Sequence, residues 1–499
     1  MSSLLSTDRE PAMSDRAKNR ALLLLAMTQF VIVIDASIVN VALPSIGSHL
    51  HFSQDNLTWV VNAYTLTFGG FLLLGGRMAD LLGRRKMFML GLVVFSLASL
   101  LGGLAQSEAW LIAARAVQGL GAAIVSPAAL SIITNTFADG PERNRALGIW
   151  GAVAGAGGAA GVLLGGILTS GLSWRWVLFV NVPIGIAAAA LAPRTLRESR
   201  RDIGSHPPHS FDIPGAVAVT GGLALLVYAV VEAVNVGWGA TRTIVCLIVA
   251  VLLLIAFVTI ELRRRDPLVP FSIFRLRTLR GANVVGLLVG MSLFSMFFFI
   301  SLYLQDVLGY SPIQTGIAYL PLAVGIILSA GLASALVTKL GFKTPLIVGM
   351  LFIAGGLIWF SRVPGHGGHF YSDVLGPSLL AAVGLGLAFV PVTIAAVSGI
   401  QPNESGLASG LINTSQQVGG ALGLAILATI ANSRTLDLLH AGGVDHAVAL
   451  TKGFDRAFLI GAGFAIVGAI LAAVTISSAD SRAHVQAASQ GEPVAAGAD

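Results

Sequence analysis

Long apolar segments recur along nearly the whole chain, and no other feature restricts its fold as strongly. Each is roughly 18 to 25 residues long, which is enough for a helix to cross a hydrocarbon layer of about 30 Å. Charged residues make up only 11% of the chain, whereas a soluble protein carries about 25%. A membrane β-barrel would instead show segments of about ten residues with alternating polarity, a pattern that this sequence lacks. The sequence therefore predicts an all-α polytopic membrane protein.

Fourteen membrane spans are predicted, and they begin with 21–44 and end with 405–431 and 456–477. The predicted organisation has five parts: a cytoplasmic N-terminal tail (1–20), a six-helix bundle (21–194), a linker with two additional transmembrane helices (195–280), a second six-helix bundle (281–477) and a cytoplasmic C-terminal tail (478–499).

The two predicted bundles resemble each other at a constant offset of 258 residues. Gly83 falls on Gly341 at this offset, and the glycines at 148, 161 and 165 also fall on glycines. Because the chain contains 59 glycines, chance agreement is the competing explanation. The offset also pairs the first six spans with the last six. Paired six-helix halves with a site between them are a plan found in secondary transporters.

The basic residues indicate the orientation of the chain in the membrane. Most of the 30 Lys and Arg residues fall in predicted loops on the same side as the N-terminus. By the positive-inside rule, both termini are expected in the cytoplasm, with the chain in the cell membrane. The net charge of +6 does not predict nucleic-acid binding, because the basic residues form no recognition motif. With Cys246 as the single cysteine and no ligand cluster, no metal or other cofactor is expected.

The segment 76–86, GRMADLLGRRK, joins the second and third predicted spans. Its glycines allow a tight turn and close helix contact, and Asp80 can pair with a helix N-terminus or an arginine. The segment resembles motif A of the major facilitator superfamily. That resemblance implies a latch that closes the cytoplasmic side in one conformational state. The latch residues implied are Gly76, Asp80, Gly83, Arg84 and Arg85.

Other segments resemble the fourteen-span drug:proton antiporter branch of that superfamily. They are IDASIVNVALP at 34–44 and SWRW at 173–176, followed by NVP at 181–183. RAVQG at 115–119 is similar to motif B of the superfamily, whose arginine, here Arg115, is associated with proton coupling. The resemblance implies the major facilitator fold, with two six-helix bundles, two linker helices and a functional monomer.

The fifth predicted span carries a series of glycines similar to the glycine motif of the antiporters. Its members include Gly161, Gly165 and Gly166. The Gly-Pro pair of the family is here Gly161-Val162. A proline would bend the helix by removing a backbone hydrogen bond, so its absence weakens the inference to antiport. Close helix packing is the alternative role for these glycines.

Two charged residues lie deep inside predicted spans. By helical rise, Asp35 is about 21 Å from the cytoplasmic end of the first span, and Arg115 is about 9 Å from the external end of the fourth. A charge at such a depth is costly without a partner, so each is the best candidate partner of the other. The pair is expected to couple transport to protons, and a permanent structural ion pair is the alternative.

Other polar residues within the predicted spans are candidates for the substrate cavity, although some could instead bridge helices. These candidates are Asn40, Gln118, Asn413 and Gln416.

The predicted function is secondary active export of amphiphilic or lipophilic drugs or toxic small molecules in exchange for protons, by alternating access. Small molecules, protons and the lipid bilayer are the expected partners. No Walker-type loop is present, so ATP is not the expected energy source, and no catalytic constellation predicts an enzyme. A dedicated exporter of one endogenous metabolite or lipid remains an alternative, as does a receptor or scaffold that does not transport.

Overall fold

The computed structural model describes residues 13–52, 57, 59–138, 140–199, 212–264, 267, 269–401, 404–441 and 443–490. These residues contain helices and no strand. Fourteen of the described helices are long and apolar enough to cross a membrane, as the sequence predicts. Much of the two predicted tails, 1–20 and 478–499, lies outside the described residues, as does 200–211 of the linker.

The first six spans form the N-terminal half. They are α1 (Asp15–Leu50), α2 (Trp59–Leu82), α3 (Arg84–Gly103), α4 (Glu108–Thr136), α5 (Pro141–Gly171) and α6 (Trp176–Thr195). The two linker helices are α7 (Ile213–Val236) and α8 (Thr241–Arg263).

The last six spans form the C-terminal half. They are α9 (Arg277–Val307), α10 (Ile313–Leu340), α11 (Lys343–Phe360), α12 (Phe370–Val397), α13 (Ser405–Ala441) and α14 (His446–Thr475). A shorter polar helix, α15 (Ser478–Gln490), follows them.

Several helices extend beyond the apolar segments that predict them. α1 begins six residues before the predicted span 21–44 and ends six after it, and α14 begins ten residues before 456–477. An apolar segment marks the part of a helix that lies in hydrocarbon, whereas backbone hydrogen bonding continues into the polar interface. Ser14 is the N-cap at the start of α1, and its side chain accepts the N–H of Ala17.

The two halves are built alike. In the N-terminal half, α4 packs between α2 and α3, and α1 packs against α5. In the C-terminal half, α12 packs between α10 and α11, and α9 packs against α13. These are the pairs that the 258-residue offset relates. The repeat seen in the sequence therefore corresponds to a repeat in helix packing.

The halves contact each other mainly through α5 with α10 and through α2 with α13. α7 packs against α2 and α13, and α8 packs mainly against α7. Only 17% of the most apolar 18-residue window of α8 is buried. An apolar helix that is exposed on most of its surface is suited to contact with lipid.

The basic end of the bundle, defined by the turns at Gly83, Gly140 and Gly341, is closed by contacts between the halves. Ser131 and Asn135 of α4 hydrogen-bond with Ser405, at the start of α13. At the opposite, far end, α1 leaves Ala36, Asn40 and Pro44 exposed. The halves are therefore joined at the basic end, whereas α1 exposes a polar position near the far end.

The polar helix α15 joins the two halves at the basic end. His484 is 1% exposed, and its Nε2 lies 3.1 Å from Oδ1 of Asn144 in α5. Asn144 in turn donates from Nδ2 to Oγ1 of Thr338 in α10, at 3.0 Å. Oδ1 of Asn144 is therefore the acceptor, and neutral His484 donates from Nε2.

We expect acidification to release α15. Burial and the nearby Arg143 charge lower the pKa of His484 from 6.5 to about 4. Because the docked form binds fewer protons, docking is fully stable above about pH 6.5 and is lost as the pH falls toward 4. The protection of 478–490 against hydrogen exchange, taken relative to the intrinsic exchange rate at each pH, should fall on acidification. His484→Gln should abolish that pH response, whereas replacement of the exposed His440 by Gln should leave it intact.

Candidate functional site

Asp35 of α1 and Arg115 of α4 form a buried ion pair, as their predicted depths suggest. Nη1 of Arg115 lies 2.7 Å from Oδ2 of Asp35, and the side chains are 1% and 0% exposed. Both residues lie in the half of the bundle nearer the far end. Nothing in the described structure connects the pair to solvent in this conformation.

Two amides complete the surroundings of the Asp35 carboxylate. Nε2 of Gln118 donates to Oδ1 at 2.8 Å, and Nδ2 of Asn181 in α6 donates to the same oxygen at 2.7 Å. The hydroxyl of Ser99 in α3 accepts from both amides and donates to the carbonyl of Leu178. Three donors on two oxygens are what an ionised carboxylate requires when buried.

Arg115 is satisfied on its other sides by groups of the same half. Its Nε donates to the carbonyl of Val60 at 3.0 Å, and its Nη1 donates to Oε1 of Gln118 at 2.6 Å. The guanidinium also stacks over the ring of Tyr64, 4.3 Å from its centroid. The hydroxyl of Tyr64 is buried, and among the described residues it has no hydrogen-bond partner.

A change in the charge of Asp35 would disturb the whole network. Breaking a buried pair by removing one partner costs about 3–5 kcal/mol, because the remaining charge is uncompensated. Protonation of Asp35 would likewise leave Arg115 without a counter-charge, and it would weaken the carboxyl oxygens as acceptors for the two amides. Since α1, α3, α4 and α6 each contribute a group, one proton would alter the contacts among four helices.

Two of the predicted latch residues, Asp80 and Arg84, lie at the N-terminus of α13, and these groups together are called the latch below. Asp80 accepts the N–H of Gly406 at 3.0 Å and that of Leu407 at 2.9 Å. Nη2 of Arg84 lies 2.7 Å from the same carboxylate, which is fully buried. A carboxylate at a helix N-terminus satisfies free N–H groups and interacts favourably with the helix dipole. A Cβ on Gly76 would lie 2.4 Å from the carbonyl oxygen of Gly406, so glycine is required for this approach.

Arg85 and Gly83 contact the N-terminal half and the beginning of the linker. Nη1 of Arg85 donates to the carbonyl of Leu196 at 3.1 Å. Glu198 accepts the N–H groups of Arg85 and Lys86, at 3.1 and 3.2 Å, and so caps α3. Gly83 has a φ of 109°, and a Cβ there would lie 2.8 Å from Glu198. In this conformation the two residues shape the turn beside the latch.

The three predicted packing glycines lie at close contacts of α5. A Cβ on Gly161 would lie 1.8 Å from Oγ of Ser37, and one on Gly165 would lie 2.8 Å from the carbonyl oxygen of Ile38. Gly166 faces α10, where a Cβ would lie 2.8 Å from Cγ1 of Ile313. α5 runs through residue 162 as one helix, so packing is the role that the geometry supports here.

Gly161→Ala is expected to reduce transport, because the added methyl group would collide with Ser37 of α1. Overpacking of this kind typically costs about 1–3 kcal/mol. Gly171→Ala is the matched control, since a Cβ at Gly171 in the same helix meets nothing within 4 Å. Thermal unfolding of the purified variants should show a lower midpoint for Gly161→Ala alone. Equal midpoints for the two variants would contradict this packing role.

Comparison with known proteins identifies the family. The profile of the Major Facilitator Superfamily matches residues 25–424. The chain belongs to this superfamily. It is 39% identical to puromycin resistance protein pur8 of Streptomyces alboniger over 465 residues, 92% of this chain and 91% of that protein. It is 44% identical to cephamycin export protein CmcT of Amycolatopsis lactamdurans over 418 residues, 83% of this chain and 85% of that protein.

Solved structures share the fold of this superfamily member. The human organic anion transporter MFSD10 superposes with a TM-score of 0.66 at 14% identity, covering 91% of this chain and 99% of that chain. The proton:xylose symporter XylE gives a TM-score of 0.66 at 14% identity, covering 93% and 97%. Family and fold are those of a membrane transporter, and superfamily members bind small-molecule substrates and work as single chains.

The four predicted cavity residues of this superfamily member have different surroundings. Asn40 is exposed on α1, and its Nδ2 donates to the carbonyl of Ala36. Asn413 is half-buried and bonds within α13, whereas Nε2 of Gln416 is buried and has no partner among the described residues. Gln118 is fully buried beside Asp35. In this conformation Gln118 belongs to the charged network.

Sequence reasoning missed Asn181, Ser99 and Tyr64 as members of the charged network. Asn181 lies in the NVP segment at 181–183, so a polar residue at the start of an apolar span was the available signal. Ser99 and Tyr64 gave no comparable signal, because small hydroxyls and tyrosines are common within membrane spans.

Proposed function

We propose that the protein exports amphiphilic or lipophilic small molecules, including antibiotics, from the cytoplasm in exchange for protons. Its relatives include proteins named for puromycin resistance, cephamycin export and tetracenomycin C resistance and export. The observation that carries proton coupling is the Asp35 carboxyl group, buried with Arg115 where one proton would change several interhelical contacts.

The proposed orientation places the basic end and both termini in the cytoplasm, in accord with the positive-inside rule. The described conformation is then closed toward the cytoplasm. Because the pair is buried, uptake of a proton from outside first requires a movement near the far end that admits water. Protonation of Asp35 would then weaken its bonds to the amides, and the halves would rock until the basic end opens.

Helix α4 is the proposed connection between the proton and the latch. It carries Arg115 near one end, and Ser131 and Asn135 near the other. By helical rise, Arg115 and Ser131 are about 24 Å apart along α4. A shift of this helix would therefore move the proton site and the contacts with Ser405 together. The position 258 residues after Asp35 is Leu293, so the coupling is proposed to be centred on the N-terminal half.

Dedicated export of one antibiotic-like metabolite is a second candidate, favoured by relatives that are named for single compounds. Transport into inside-out vesicles separates the two, with puromycin, a cephamycin and a lipophilic cationic dye as substrates. Broad efflux predicts proton-driven uptake of chemically unrelated compounds, whereas a dedicated exporter takes up one class. If the vesicles take up none of these compounds but the protein binds one of them, a receptor is favoured over both kinds of exporter.

A further inference from the structure

Two acidic side chains meet where the linker helices reach the basic end. Asp212 is the N-cap of α7, and its Oδ1 accepts the N–H of Gly215 at 3.0 Å. Glu261 lies near the end of α8, and its Oε2 accepts the N–H of Val269 at 3.0 Å. Both residues are 3% exposed. Neither belongs to the charged network around Asp35 or to the latch.

The second oxygens of the two carboxyl groups both lie beside Gly215. A Cβ on Gly215 would lie 2.6 Å from Oδ2 of Asp212 and 2.7 Å from Oε1 of Glu261, so the two oxygens are at most 5.3 Å apart. Both oxygens are buried and have no hydrogen-bond partner among the described residues. Two neighbouring buried acceptors without a donor are an unstable arrangement unless one of them carries a hydrogen.

Arginine side chains lie near the pair, and their positive charges disfavour a metal ion there. Nε of Arg264 lies 3.5 Å from Oδ1 of Asp212. Arg77 of α2 is buried, acts electrostatically on Glu261, and donates from Nη2 to the carbonyl of Pro267 at 3.0 Å. Two guanidinium groups beside a site repel a cation, whereas a proton bound between the carboxyl groups leaves a single negative charge.

We propose that Asp212 and Glu261 share one proton and form a second protonation site, which is linked to the latch through Arg77. Arg77 lies three residues before Asp80 on α2, and it donates to the carbonyl of Pro267. Pro267 lies two residues before Val269, whose N–H donates to Glu261. Movement of α2 as the latch opens would disturb this loop and admit water. The proton would then pass to cytoplasmic water as hydronium, and the charge of the pair would change from −1 to −2. The link to the latch rests on the proposed function, whereas the shared proton does not.

Infrared spectroscopy of the purified full-length protein tests the shared proton without any transport. At pH 7 the wild type should show a protonated-carboxyl band that is lost in Glu261→Gln and lost or shifted in Asp212→Asn. Asp437→Asn, at an exposed position, should leave the band unchanged. A spectrum that neither variant changes would overturn the proposal. If neither variant folds, a lipophilic carbodiimide is applied to the wild type; labelling at Asp212 or Glu261 supports the proposal, and labelling only elsewhere overturns it.

The link to the latch requires a conformational measurement. Leu82 and Leu340 are exposed, end α2 and α10 at the basic end, and are related by the 258-residue offset. Spin labels on cysteines at these positions, with Cys246→Ser, report the opening of that end. Wild-type distances should change with pH, and Glu261→Gln should lose most of that response. If Glu261→Gln has lost the infrared band but keeps the wild-type pH response of the distance, the link to the latch is refuted and the shared proton is not.

Discussion

Asp35→Asn is expected to abolish substrate transport driven by a pH gradient. Asparagine preserves the shape of the side chain but cannot carry the charge that Arg115 opposes at 2.7 Å. The variant leaves a buried guanidinium uncompensated, which costs about 3–5 kcal/mol, and it removes the group that is proposed to take up the proton. Uptake into inside-out vesicles with an imposed pH gradient should fall to the level of empty vesicles. Asp306→Asn, at an exposed position near the far end, should retain uptake.

A double variant separates proton coupling from a purely structural ion pair. Asp35→Asn combined with Arg115→Gln removes both charges, so the uncompensated charge disappears and stability should recover. Under the coupling account, the double variant folds well and still fails to respond to a pH gradient. Restored pH-driven transport in the double variant would show that the pair is only structural.

Asp80→Asn is expected to shift the protein toward the state that is open at the basic end. The substitution removes the anion that accepts the N–H groups of Gly406 and Leu407, and it breaks the pair with Arg84. A charge at a helix terminus contributes up to about 2 kcal/mol in a partly buried setting, so the open population should rise about tenfold or more. Transport should fall accordingly, because the return to the closed state becomes unfavourable.

Thiol labelling measures this shift. Ser131 is fully buried at the closed basic end, so Ser131→Cys in a Cys246→Ser background should react slowly with an impermeant maleimide added on the cytoplasmic side. Asp80→Asn should increase the labelling rate about tenfold or more. Glu142→Gln is the control, since Glu142 pairs with Lys18 within the same half. Unchanged labelling with Asp80→Asn would show that the latch does not hold this end closed.

Much of the architecture can be predicted from local sequence. The thickness of the membrane sets the length of each apolar segment, and the orientation of the chain is reflected in the positions of the basic loops. The fourteen spans and the Asp35–Arg115 pairing were predictable on those grounds. Gln118 was harder to place, although its position three residues after Arg115 puts both on one face of α4. The sequence indicates that Gln118 is buried in a span, but which helices surround it depends on how the bundle packs.

Other parts of the structure depend on contacts between distant segments. Glu198 follows a predicted span and reads as a solvated loop residue, yet it caps α3 from more than 100 positions away. Asp212 and Glu261 likewise belong to no motif, and only the packing of α7 against α8 brings them together. Sequence periodicity predicts helices and their apolar faces, but not which polar ends meet when those helices associate.

The most direct measurement of the central claim is proton movement caused by substrate in proteoliposomes that contain the purified wild-type protein and an internal pH indicator. With an outward substrate gradient and no initial pH difference, antiport predicts that protons enter as substrate leaves, and that this flux is absent with Asp35→Asn. Substrate efflux without a proton flux in the wild type, or an undiminished flux in Asp35→Asn, would contradict the account.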